Sequence, residues 1–238
     1  MSDRQHIQSS FDRDLEALQA MVMKMGGLVE AAITDGARSL ETRDEELAQQ
    51  VRENDKLIDR LEQQINEEAA RVVALRAPLA GDMRLVLSVI KIATNLERMG
   101  DYAKNLAKRT GLLLDLPAIE GAPRSLRRMA GEVERMLHDV LDAYIQRDAE
   151  LAHEVRLRDE DVDQMYTAIF REFLTFMMED PRNITACMHL HFIAKNIERM
   201  GDHATSIADQ VIYTIEGTMP EGDRPKGDRT STEILGSQ

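Results

Sequence analysis

The chain has 238 residues, with 43 Asp and Glu against 30 Lys and Arg, a formal net charge of −13. That balance argues against a nonspecific nucleic-acid binder, which needs basic side chains to collect phosphates, and favours solubility and cation binding. A single cysteine excludes an intramolecular disulfide and fits a reducing compartment.

Ala, Leu, Met, Glu, Arg and Gln dominate and Trp is absent, the composition of a long-helix protein. The polar opening "MSDRQHIQSSFDRD" lacks the apolar core of a signal peptide. No stretch approaches the roughly 20 apolar residues of a membrane span. The expectation is a cytoplasmic protein that reaches a membrane only through protein partners, without direct insertion.

Taken in chain order, the breakers mark the joints. Thr42 with Glu45 reads as a capping box that starts the second helix. That helix carries an apolar stripe of Val51, Ile58, Leu61, Ile65, Val72 and Leu75. "RAPLAGD", around Pro78, is a turn. A third helix follows with Leu85, Ile92, Met99 and Leu106 on one face. "LDLPAIEGAPRS", from Leu114 to Ser125, is the longest interruption and the natural boundary.

Asp148 reads as an N-cap, and Asp180 as another with Pro181 at the first helical position. Cys187, among apolar residues, reads as a small buried side chain. After Glu216 the helical period stops, and the rest reads as a disordered tail. Six segments of roughly 30 residues joined by short connections imply antiparallel neighbours in an all-α bundle.

The six segments are two copies of three. "RDEELAQQVRENDKLID" from Arg43 matches "RDAELAHEVRLRDEDVD" from Arg147, and Met25 and Gly27 match Met129 and Gly131 at the same offset. "NLERMGD" from Asn95 returns as "NIERMGD" from Asn196. The fold expected is two tandem, pseudo-symmetric three-helix bundles, residues 1–115 and 116–216, followed by the tail 217–238.

The repeated motifs hold eight acids: Asp55, Asp59, Glu97 and Asp101 in the first half, Asp159, Asp163, Glu198 and Asp202 in the second. Asp59 and Glu97 are equidistant from Pro78, as are Asp55 and Asp101, so each pair lies level on antiparallel helices. The second-half acids are arranged in the same way about the turn at Asp180. Their positions flank the apolar stripes, so the acids are expected outside the core.

Four converging carboxylates repel one another unless a cation sits among them, and oxygen ligands suit Mg²⁺, Mn²⁺, Ca²⁺, iron or zinc. Gly100 and Gly201 beside them would let something approach the helix. Arg98 and Arg199 are placed to pair with Asp101 and Asp202, which leaves a solvated acidic face as the alternative. A buried di-metal oxidase needs two Glu-x-x-His elements, and this chain has one, Glu150 to His153. His189 and His191 point different ways, and His203 is matched by Tyr102 in the first half, so these histidines read as surface or satisfied side chains. There is no phosphate loop, nucleophile elbow or zinc-type cysteine pair.

With "NLERMGD" and "NIERMGDHA" each preceded by a helix carrying D-x-x-x-D, the sequence resembles the PhoU family of bacterial phosphate-regulatory proteins over about residues 6–215. The resemblance implies two three-helix bundles and surface metal clusters, often of iron or zinc, with manganese or magnesium also open, on the eight acids named. It implies a non-enzymatic negative regulator of the phosphate-starvation response and of phosphate uptake. Such a protein acts by binding between the phosphate ABC transporter and a sensor histidine kinase, and is often a homodimer. The other readings are a helical adaptor without a phosphate role and a ferritin-like metal oxidase.

Overall fold

The computed structural model describes residues 2–76 and 80–220, and side chains from Phe11 onward except at Ala80. Among the described residues there are six α-helices: α1 (Ser2–Thr42), α2 (Glu45–Arg76), α3 (Ala80–Leu113), α4 (Ala122–Gln146), α5 (Ala149–Glu179) and α6 (Ile184–Glu216). The expected turn at Pro78 and the tail from residue 221 onward lie outside the described residues.

Four local expectations need correcting. Helix α1 is 41 residues, well beyond the roughly 30 expected. Thr42 closes α1, its hydroxyl donating to the Arg38 carbonyl, and the cap of α2 is Asp44, whose carboxylate accepts from the Leu47 amide at 2.9 Å. The duplication explains this. Asp148 caps α5 through the Leu151 amide in the same way, and Arg43 and Arg147, just before the two caps, share φ of 56°. Asp180 caps a single 3-10 turn (Pro181–Asn183), which leads into α6. Leu75, placed on the buried stripe, is 64% exposed, one residue from the end of α2.

Helices α1, α2 and α3 pack on one another, as do α4, α5 and α6. Across the halves α1 packs on α4 and α3 on α6. Each of these is a helix meeting its own duplicate, which is what a pseudo-twofold axis between the halves requires. Along α3 and α6, Asn95 contacts His203, and 14 residues on (109 − 95) Arg109 contacts His189, 14 residues back (203 − 189), so the pair runs antiparallel.

The buried apolar side chains of both halves form one continuous cluster, including Val22, Met25, Ile58, Leu96, Met99, Met129, Val133, Phe173, Ile197 and Met200. At about 1.5–3 kcal/mol for each large side chain buried, this cluster dominates the folding free energy. The connection between halves is tied down by Arg43, whose guanidinium donates to the carbonyls of Leu113 and Leu114 at 3.0 and 2.7 Å, just where α3 ends and its last carbonyls lack helical partners. Among the described residues no helix is long and apolar enough to cross a membrane.

Candidate metal and ion site

The two acid motifs of the first half meet across the α2–α3 hairpin. Asp55 Oδ2 and Asp101 Oδ1 each lie 2.6 Å from the Lys104 ammonium, so the level pairing of these two positions holds. Asp59 and Glu97 complete the group: Asp59 raises the pKa of both Asp55 and Glu97, and Asp101 does likewise. In the second half Asp159 and Asp163 stand on α5, Glu198 and Asp202 on α6. Asp159 Oδ1 lies 3.3 Å from where a Cβ on Gly201 would stand, beside Asp202.

These acids are more buried than their positions beside the stripes implied. Asp55, Asp159, Asp163 and Glu198 are at most 6% exposed. Asp59 is exposed, while Glu97, Asp101 and Asp202 are half-buried. The cause is close helix packing. A Cβ on Gly100 would stand 2.9 Å from Ile58 Cδ1, so what that glycine admits is the α2 side chain, and the helices close over Asp55. Burial accordingly pushes the Asp55 carboxyl above its ordinary pKa, with Lys104 pulling it back and Asp59 and Asp101 pushing it further. Glu97 is raised by burial first and then by Asp101.

Lys104 and Lys195 carry roles that the sequence reading passed over. Burial alone would lower the Lys104 pKa, but its hydrogen bonds to Asp101 and Asp55 lift it. Lys195 Nζ lies 2.8 Å from Glu198 Oε1 and 4.9 Å from the centre of the Tyr166 ring. The duplicate of Lys104 is Thr205, and that of Lys195 is Thr94. The two halves therefore place their internal ammonium at opposite ends of E-x-x-x-D. Both lysines were visible as i+3 and i−3 neighbours of the motif acids.

The donor chemistry fits a hard cation: the acids are all oxygen ligands, and the buried Asp55 Oδ1 accepts no hydrogen bond. Among the described residues, however, no three His, Cys, Asp or Glu side chains lie close enough to hold a metal as they stand. In the first half Lys104 bridges Asp55 and Asp101, so a metal there requires the ammonium to withdraw.

The histidines considered as possible ligands each meet protein neighbours. His189 lies 3.2 Å from Arg109, and His191 packs on Tyr166 and Phe170. His153 reaches Glu216 at 3.5 Å. His203 lies on the α3–α6 seam, its Nδ1 2.8 Å from Asn95 Oδ1 and its ring 5.6 Å from that of Tyr102. Burial, then Arg98 and Arg199, hold its pKa down. Cys187 is fully buried, as expected.

The family model for the PhoU domain matches residues 22–110 and 126–211. Proteins named phosphate-specific transport system accessory protein PhoU homolog are similar along nearly the whole chain. That of Rhizobium meliloti is 48% identical over 236 residues, 98% of this chain and 97% of the relative. That of Caulobacter vibrioides (strain NA1000 / CB15N) is 44% identical over 224 residues, 94% of this chain and 97% of the relative. The crystal structure of PhoU from Pseudomonas aeruginosa superposes with a TM-score of 0.84 at 39% identity, covering 87% of this chain and 100% of that one. The phosphate transport system regulatory protein PhoU from Streptococcus pneumoniae does so with a TM-score of 0.82 at 28% identity, covering 89% of this chain and 99% of that one.

Proposed function

Because the chain belongs to the PhoU family, we propose that it is a cytoplasmic negative regulator of phosphate uptake and of the phosphate-starvation response, acting by binding between the phosphate ABC transporter and a sensor histidine kinase. The observation that carries this reading is the 48% identity, over 98% of the chain, to a phosphate-specific transport system accessory protein. The mechanism is association without a chemical step. A bundle with one continuous core moves as a unit, so a partner docked on one half senses what is docked on the other. The kinase stays inactive while the transporter is supplied with phosphate.

The metal part of the reading assigns Asp55, Asp59, Glu97 and Asp101 to one site and Asp159, Asp163, Glu198 and Asp202 to the other. These carboxylates would hold a divalent or trivalent cation, which would supply the positive charge that four neighbouring acids need. Between fillings, Lys104 and Lys195 supply part of that charge from within the chain.

Deleting the gene and reading a phosphate-starvation promoter in phosphate-rich medium tests the regulatory role. The expected result is a promoter switched on despite abundant phosphate, and an unchanged promoter refutes the role. Metal analysis after gentle purification, with Asp101→Asn and Asp202→Asn beside the wild type, tests the cation sites. A metal-free wild type whose folding and partner binding are untouched by both changes favours the plain helical adaptor.

A further inference from the structure

The duplication leaves a cavity at each end of the α3–α6 seam. One, of about 250 Å³, is walled by Leu40 of α1, Leu113 of α3, Pro123 of α4 and Leu190 of α6. The other, of about 130 Å³, is walled at the duplicate positions by Tyr144 of α4, Thr214 of α6, Gln19 of α1 and Val89 of α3. Leu190 answers to the still apolar Val89, but the other apolar walls of the larger cavity answer to side chains that hydrogen-bond.

The arginines beside the cavities differ in the same way. Arg43 and Arg147 line one cavity each, and both hold a left-handed backbone with φ of 56°, uncommon for any residue but glycine. Arg43 is occupied with the Leu113 and Leu114 carbonyls, where α3 ends. Helix α6 runs past the duplicate position, Thr214, to Glu216, and among the described residues Arg147 makes no such bond and no ion pair. No Asp or Glu lines its cavity, in a chain with 43 of them. The Tyr144 hydroxyl is open to a ligand as well: burial pushes its pKa up to about 12, and no hydrogen bond or charge shares in the shift. The Thr214 hydroxyl already donates to the Val211 carbonyl at 2.7 Å, so the donors left are Arg147, Tyr144 and the Gln19 amide.

We propose that this smaller cavity binds a short aliphatic monocarboxylate, with Arg147 and Tyr144 donating to the carboxylate and Leu15, Leu85 and Val89 enclosing the tail. A guanidinium offers a carboxylate two parallel N–H donors, and the phenol adds an O–H. One cation balances one negative charge. A doubly charged phosphate would turn unpaired oxygens against the apolar half of the wall, which is costly. Size sets the tail: a dry cavity of about 150 Å³ takes a benzene ring, so one of about 130 Å³ takes about six heavy atoms, as in butyrate. The larger cavity, with its arginine occupied, offers an acid no free guanidinium. The site lies apart from the eight motif acids and does not depend on the regulatory reading.

The test uses the full chain with butyrate as probe, at pH 7.5 and fixed ionic strength, followed by methyl NMR and calorimetry. Saturable binding of about one butyrate per chain at millimolar concentrations is expected, with shifts centred on the Leu15, Leu85 and Val89 methyls. Arg147→Gln should weaken it about tenfold or more and Tyr144→Phe about threefold or more, with helicity and melting temperature unchanged. Butanol, which lacks the charge, and inorganic phosphate, which lacks the tail, should each bind more weakly. Absence of saturable binding, wild-type affinity in both variants, or shifts centred instead on Leu40, Leu113 and Leu190 overturns the site. Butanol binding as tightly as butyrate reduces it to an apolar hole, and phosphate binding as tightly reduces it to a general anion contact; either result overturns the assignment to a carboxylate.

Discussion

Removing the Lys104 ammonium isolates what this cation does for the fold. In Lys104→Met the buried Asp55, whose side chain is 5% exposed, keeps its charge but loses its partner. Breaking a buried pair from one side costs about 3–5 kcal/mol. Lys104 is itself 34% exposed, so water partly replaces it and the expected loss is about 2 kcal/mol at pH 7.5. In a chain of this size that is a fall in melting temperature of about 4–8 °C.

The pH dependence has a definite direction. The folded pKa of Asp55 already lies above its ordinary value, so its contribution favours the fold at low pH and is lost as pH rises through the folded pKa. Without Lys104 that pKa rises further. The variant should therefore recover toward wild type as pH falls from 7.5 to 5. Thermal and urea unfolding of wild type, Lys104→Met and the exposed control Lys108→Met across this range measure it. A deficit that is absent, or equal at pH 5 and pH 8, refutes the assignment of Lys104 as the internal counter-ion of Asp55. The same variant should take up divalent cations more tightly in its first half, since nothing then has to withdraw, and calorimetric titration checks this.

Asp44→Ala and Asp148→Ala should each cost about 1 kcal/mol through lost N-caps, with Thr42→Ala within about 0.5 kcal/mol of wild type; chemical denaturation separates them. Gly26→Ala would place a Cβ 2.4 Å from Leu141 Cδ1 on the opposite half, so an overpacking cost of about 1–3 kcal/mol opposes a helix gain of about 1 kcal/mol, and the expected net is a loss of up to about 2 kcal/mol, seen as a lower melting temperature. The Cys187 thiol, fully buried with its pKa pushed up by burial, should resist thiol reagents in the native protein and react on unfolding. Rapid reaction in native buffer would contradict its place in the core.

The six helices, the duplication and the level pairing of Asp55 with Asp101 were legible in the sequence, because helical period and hairpin symmetry are local or nearly local properties of a chain. Asp44 was legible too, since the repeat sets it against Asp148, although the Thr42–Glu45 spacing mimics a capping box. The burial of Asp55, Asp159, Asp163 and Glu198 was not legible. It depends on how closely α2 approaches α3 and α5 approaches α6, which Gly100 and Gly201 set only once the partner side chains are in place.

Which cation answers each acid, Lys104 or Lys195, was likewise decided by side chains meeting across a packed interface. Two copies of N-x-x-R are plain in the sequence. That the helices bearing them meet follows only from α3 packing antiparallel on α6, because the axis relating the halves is a property of how the bundles dock and is written in neither copy alone.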